Sequence, residues 1–213
     1  MSVETAAVEQ TLDQGLTQLG IPLDDGRRDQ LLALVWLLHK WNRAYNLTAV
    51  RDPQSMVSRH LLDSAVVAPF VTGPRVLDVG AGPGLPGLVL AILNPSLAVT
   101  LLDSNGKKVR FQRQAVIELG LTNVTPVQAR VEDPQTVGGG FEQVISRAFA
   151  SLPDFIALSQ AWLAEGGQWL AMKGPAVDDE LEGLAAEVRV AARHRLEVPF
   201  ESGHRWLVVL ERA

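Results

Sequence analysis

No cysteine occurs in the 213 residues. Its absence excludes disulfides, cysteine-ligated zinc, iron–sulfur clusters and a cysteine nucleophile, and it agrees with a reducing compartment. An excess of positive charge is missing too: 19 Lys and Arg stand against 24 Asp and Glu, a formal net charge of -5. Proteins that hold bare nucleic acid through many phosphates are usually basic. Tight, nonspecific binding to naked RNA or DNA is therefore disfavoured, while a local basic patch stays open. The first residues, Met1-Ser2-Val3-Glu4, have neither the basic start nor the apolar run of a secretory signal. The longest apolar stretch, Leu31 to Leu38, is far too short to span a bilayer. The expectation is a cytoplasmic protein with no membrane partner. Internal repeats and low-complexity segments are also lacking.

What is present suits a single folded unit. Hydrophobic residues make up 47% of the chain, enough for a sizeable core. Residues 1–72 read as a helical extension, with helices expected over 3–19, 25–45 and 54–70. Leu31, Leu34, Leu38, Trp41 and Tyr45 recur at helical spacing in the second. From residue 73 to 213 the pattern alternates. Strands are expected at Arg75–Val79, Val99–Leu102, Val124–Gln128, Phe141–Ile145 and Trp169–Met172. Helices are expected at Gly87–Leu93, Lys107–Leu119, 151–164 and 177–192, with a turn at Gly138-Gly139-Gly140. Two last strands, Arg195–Pro199 and Trp206–Leu210, form an antiparallel pair. Alternation of this kind predicts an α/β fold: a mostly parallel, seven-stranded, Rossmann-like sheet covered on both faces. The five tryptophans fall mainly in apolar patterns and are read as core.

The segment Gly80-Ala81-Gly82-Pro83-Gly84-Leu85-Pro86-Gly87 follows a strand and opens a helix. Glycines there let the backbone turn sharply and approach a ligand, and the helix start adds free N–H groups. Two cofactors fit the spacing. Gly80, Gly82 and Gly84 suit a methyl-donor loop, and Gly82, Gly84 and Gly87 match a dinucleotide fingerprint. Asp78, two residues before the first glycine, would repel a pyrophosphate and attract the ammonium and sulfonium of S-adenosyl-L-methionine. Pro83 and Pro86 remove donors that a pyrophosphate would use. The methyl donor is favoured, with NAD or FAD as the alternative. Asp103 ends the next strand, where an acid can accept hydrogen bonds from ribose hydroxyls. Its other reading is a helix cap, with Ser104 and Asn105.

The absent motifs narrow the reaction. Without cysteine, methylation of a pyrimidine C5 through a thiolate is excluded. Methylation of an exocyclic amine goes with Asn/Asp-Pro-Pro-aromatic after the fourth strand, where this chain has Ser146-Arg147-Ala148-Phe149. No acid follows that strand until Asp154 to serve as base for a sugar hydroxyl. A nucleophile with a free lone pair, such as guanine N7, remains.

Val76 to Gly87, Leu102-Asp103-Ser104 with Lys107-Lys108-Val109-Arg110-Phe111, and Ile145 to Ala150 resemble the ribosomal RNA small-subunit methyltransferase G family, formerly glucose-inhibited division protein B. Trp41 to Thr48 and His60 to Ser64 match as well, so the resemblance covers roughly residues 30–175. It implies a class I S-adenosylmethionine methyltransferase that makes 7-methylguanosine in 16S rRNA, within the small ribosomal subunit or an assembly intermediate. It implies donor contacts at Gly80, Leu85, Asp103, Ser104, Asn105, Val131, Glu132 and Arg147. The family usually has Ala-Glu where this chain has Val131-Glu132, a change that backbone contacts would tolerate. Arg147, at the end of the fourth strand, is read as facing the donor or the guanine; the alternative is an ion pair with Asp78 or Glu132. Lys173, ending the fifth strand, is a second positioning candidate. Arg43, Arg51, Arg59 and His60 are the expected RNA contacts, although His60 and Asp63 could be a structural pair. Lys107, Lys108, Arg110 and Arg113 share one helix and are read as a solvated face. No metal is expected, and the chain is expected to be a monomer. Rival readings are a small-molecule methyltransferase, a nicotinamide oxidoreductase and a noncatalytic RNA-binding factor.

Overall fold

Strand β1 (Arg75–Val79) runs through the interior, with every residue after Arg75 buried. A computed structural model, describing residues 3–134 and 139–213, places it at the centre of a seven-stranded sheet. The other strands are β2 (Ala98–Asp103), β3 (Val124–Gln128), β4 (Phe141–Arg147), β5 (Leu163–Lys173), β6 (Val188–Leu196) and β7 (Arg205–Arg212). Their order is β3-β2-β1-β4-β5-β7-β6; β7 alone runs antiparallel to its neighbours β5 and β6. The expected parallel sheet with an antiparallel closing pair is present. The order reverses between β1 and β4, so the connections leaving their carboxyl ends turn to opposite faces of the sheet and leave a crevice.

Side-chain alternation along the strands feeds two cores. Val76, Val99, Leu101, Ile145 and Leu170 face one side, with α1 (Val3–Gln18), α2 (Asp25–Tyr45), α5 (Gly87–Leu93) and α6 (Gly106–Glu118). Leu77, Val79, Leu102, Val144 and Trp169 face the other, with α7 (Leu152–Ser159) and α8 (Val177–Leu181). The N-terminal helices thus share one core with the sheet. None of the helices in the described residues is long and apolar enough to cross a membrane.

Helices α1 and α2 follow the sequence expectation. Asp24 caps α2 by accepting the Arg27 N–H at 2.8 Å, and Asn46 ends it in the left-handed region at φ 50°. Other expectations change. The helix over 151–164 ends at Ser159, and β5 begins at Leu163, ahead of the expected Trp169. The single helix over 54–70 is broken into α3 (Pro53–Met56), a wide π turn (Val57–Leu62), α4 (Asp63–Ala65) and a 3-10 turn (Ala68–Phe70). The helix over 177–192 stops at Leu181, and residues 188–192 belong to β6, so the strand expected at Arg195–Pro199 starts earlier and ends at Leu196. Gly183 interrupts the helix, and β7 supplies main-chain partners from Val188 to Leu196, which outweigh the helical propensity of an alanine-rich segment. Of the expected glycine turn, Gly138 lies outside the described residues, while Gly140 takes φ 94°.

Candidate active site

The carboxyl ends of β1 and β2 hold the glycine loop, and two carboxylates fasten it. Asp103 Oδ2 accepts the Gly82 N–H and Oδ1 accepts the Asn105 N–H, both at 2.8 Å. The Ala81 N–H donates to the Leu102 carbonyl at 3.0 Å, so the loop is laced to the end of β2. From beneath, Gln112 of α6 donates to the Gly82 carbonyl at 2.7 Å. Asp78 is fully buried under the loop, and its Oδ2 accepts the Gly87 N–H at the start of α5 at 2.8 Å. Its Oδ1 has no hydrogen-bond partner among the described residues. Burial pushes the Asp78 carboxyl up to about 7, against the pull of the Gly87 N–H and of Arg147.

A cavity of about 430 Å³ opens above this loop, within the usual range for small-ligand sites. Gly80, Asp103 and Ser104 form one side of it, and Arg130, Val131 and Glu132 another. Leu102, Ala129 and Leu158 supply apolar wall. Gly80 has φ 64°, and a Cβ there would come within 2.4 Å of the Phe149 ring, which also lines the cavity. Gly82, at φ 57°, faces open space: a Cβ would meet nothing closer than the Gly80 carbonyl at 3.9 Å and Lys108 Nζ at 4.0 Å.

Of the residues expected to meet the donor, Gly80, Asp103, Ser104, Val131 and Glu132 are brought together on this cavity. Asp78, Gly82, Gly84, Leu85, Asn105 and Arg147 are not among its lining. Asp78 lies below the loop, Leu85 is buried, and Gly84 packs against Leu88. Asn105 caps α6 by accepting the Lys107 N–H at 3.0 Å. Lys108, Arg130 and Phe149 were not anticipated on the cavity. Gln112 was missed as well, although a buried amide on the apolar side of an amphipathic helix is a readable signal.

Arg147 ends β4 and turns to the N-terminal helices. Its Nη1 donates to Asp63 Oδ2 at 2.9 Å and to the Arg59 carbonyl at 3.2 Å. Arg147 thus makes an ion pair, as in the alternative reading, but with Asp63 in place of Asp78 or Glu132; Asp63 also meets Arg205 at 3.5 Å. Lys173 bridges Glu180 at 2.8 Å and donates to the Ala150 carbonyl, fastening the start of α7. His60 does not pair with Asp63. Its Nε2 lies 2.7 Å from Thr48 Oγ1 and its Nδ1 3.0 Å from the Arg59 carbonyl. Burial, then the charge of Arg147, pushes its pKa down to about 4. Arg43 and Arg51 are exposed, and Arg59 lies 3.4 Å from Glu201. Among the described residues no group of three or more His, Asp or Glu side chains is placed to hold a metal.

Comparison with known proteins gives this site its setting. The family model described as rRNA small subunit methyltransferase G matches residues 27–208. The ribosomal RNA small subunit methyltransferase G of Chromohalobacter salexigens is 63% identical over 98% of this chain and 100% of its own length. That of Stutzerimonas stutzeri is 51% identical over 100% and 99%. Among solved structures, M. jannaschii TYW2 in complex with AdoMet superposes with a TM-score of 0.53 over 71% of this chain and 75% of its own, at 18% identity. That likeness concerns the fold alone. With a model spanning most of the chain and full-length relatives above half identity, the chain belongs to the rRNA small subunit methyltransferase G family.

Proposed function

We propose that this chain transfers a methyl group from S-adenosyl-L-methionine to N7 of a guanine in 16S rRNA, presented in the small ribosomal subunit or an assembly intermediate. Family membership supports the enzyme class, the donor and the ribosomal substrate. The observation that carries the reading is the cavity above the glycine loop, with Asp103 as its polar anchor.

The residues present fit the donor. Asp103 uses one lone pair of each oxygen on the Gly82 and Asn105 amides, which leaves capacity to accept ribose hydroxyls. Leu102, Ala129, Val131 and Leu158 offer apolar surface for a nucleoside base and exclude water. Gly80, Ser104 and Glu132 would complete the donor contacts. When bound, the donor supplies an electrophilic methyl on a sulfonium. The protein's task is then alignment. Guanine N7 carries a lone pair and no proton, so no general base is needed. The surroundings agree: Asp154, the first acid after β4, accepts the Ser151 hydroxyl at 2.7 Å at the start of α7. Arg147, held by Asp63 at the carboxyl end of β4, is the positioning candidate for the guanine, whose N7 and O6 an arginine can engage. We take residues 1–72 as a helical extension on a core of 73–213, acting as a monomer in the cytoplasm.

The test is methylation of small subunits and of free 16S rRNA from cells lacking the gene, with labelled donor and nucleoside analysis. Label in 7-methylguanosine is expected. Label confined to another nucleoside, or found only in metabolite pools, would overturn the reading.

A further inference from the structure

The cations of this molecule divide sharply. In the C-terminal part they are answered: Lys173 by Glu180, Arg193 by Asp178, Arg189 by Glu211 and Arg205 by Asp63. Along α6 they are not. Among the described residues no carboxylate lies within 4.0 Å of Lys107, Arg110 or Arg113, and no side-chain hydrogen bond engages their charged ends. These three cations line a groove of about 600 Å³ that Tyr45, Asn105 and Gln128 complete and no acid enters. In a chain of net charge -5, such a local excess of positive charge is a directed field.

The aromatic residue in the groove is held rigidly. Tyr45 ends α2, is 36% exposed, and stacks on Trp41 with ring centroids 5.0 Å apart. Trp41 in turn sets its edge on the buried Phe111 of α6, at 5.7 Å. A ring fixed this way beside three free cations meets the two needs of a single-stranded nucleic acid: a stacking platform and phosphate partners. The groove also adjoins the cavity above the glycine loop. Lys108 and Ser104 line that cavity, while Lys107 and Asn105, their sequence neighbours, line the groove.

The N-terminal cations are less well placed. Arg59 is engaged by Glu201 and His60 is buried against Thr48. Arg43 precedes Tyr45 by two residues on α2, which turns it away from the ring.

We infer that the groove between the end of α2 and the first turns of α6 binds the RNA substrate, with Lys107, Arg110 and Arg113 on phosphates and Tyr45 under an unpaired base. The inference rests on the proposed function and names the substrate-binding surface for it. The test is filter binding of small ribosomal subunits and of 16S rRNA over a salt series, for the wild type, Lys107→Ala/Arg110→Ala/Arg113→Ala and Tyr45→Ala. Thermal stabilisation by S-adenosyl-L-methionine reports folding of each variant. In the triple variant, affinity at low salt should fall at least about tenfold, and the slope of log affinity against log salt should shrink by about 2 to 3. Tyr45→Ala should weaken binding with the slope kept. Unchanged affinity and slope in a folded triple variant, or the same loss from Arg43→Ala/Arg51→Ala instead, would overturn the assignment. Wild-type protein that binds rRNA through the groove but methylates none of it would refute the proposed function while leaving the groove in place.

Discussion

On the β2 side of the glycine loop, main-chain amides meet carboxylates that lie close in the fold. Asp103 takes the Gly82 and Asn105 N–H groups, and Asp78 takes that of Gly87. On the β4 side, side chains from distant segments meet one another. Arg147 holds Asp63, 84 residues away, Arg205 joins them, and Arg59 reaches Glu201. The first arrangement gives a rigid cradle, because each bond ties backbone to a strand end. The second is a clasp between the N-terminal helices and the sheet, and its geometry depends on both being in place. The side proposed for the donor is therefore braced by main-chain bonds, whereas the side proposed for the guanine depends on how the N-terminal helices dock.

The largest effect should come from the cradle. Asp103→Ala removes two charge-assisted hydrogen bonds, each contributing about 1.5–3 kcal/mol, and also the proposed acceptor for ribose. Donor affinity measured by calorimetry should fall on the order of 100-fold or more. Retained affinity would show that the loop keeps its shape unaided and would erase the contrast. Gly80→Ala should follow. The backbone at φ 64° costs a side chain roughly 1–2 kcal/mol, and its Cβ would displace Phe149. We expect a donor affinity lower by about tenfold or somewhat more, with RNA binding kept.

Arg147→Lys tests the clasp. Lysine keeps a charge facing Asp63 but replaces the rigid guanidinium, whose Nη1 donates to both Asp63 and the Arg59 carbonyl, with a shorter, freely rotating ammonium. Turnover should drop on the order of tenfold through misplacement of the guanine, while donor affinity stays within about twofold. A loss of donor affinity equal to the loss of turnover would join the two sides into one unit.

The same division explains what could be read in the sequence. The loop, Asp103 and the five central strands follow from signals within a dozen residues: an apolar run, four glycines, an acid at a strand end. The clasp carries no such signal. His60 and Asp63 stand three apart, which leaves a structural pair as open as an RNA contact, yet the wide turn at Val57–Leu62 sends His60 to Thr48 and Asp63 to Arg147. Asp78 was legible as a carboxylate at the loop but not as one placed beneath it, because depth below a surface depends on packing by α5. The first part of β6, before Arg195, reads as helix for a similar reason: its sheet partner among the described residues, β7, begins nine residues after β6 ends, and the alanine-rich segment favours helix by itself. Lys107, Arg110 and Arg113 looked like an ordinary solvated face, since only the fold brings Tyr45 beside them.

The smallest net effect involves two buried groups that titrate in opposition. Asp78 binds its proton more tightly in the folded protein, with a pKa of about 7 against 3.8. Its contribution to stability is present at low pH and is lost as pH rises from about 4 to about 7. His60 behaves in reverse, with a folded value of about 4 against 6.5. Its contribution is present above about 6.5 and is lost as pH falls toward 4. Between pH 5 and 8 each amounts to about 2 kcal/mol, or about 5 °C of melting temperature, so the two nearly cancel. Single variants should uncover them in calorimetry at pH 5 and pH 8. The advantage of the wild type over Asp78→Asn should be greater at pH 5 than at pH 8. Its advantage over His60→Gln should be greater at pH 8. Arg147 opposes the shift of Asp78 and adds to that of His60, so Arg147→Ala should raise both pKa values. The loss of stability that Asp78 brings should then extend to higher pH. Parallel pH dependence in both single variants would mean that burial does not push the two groups in opposite directions.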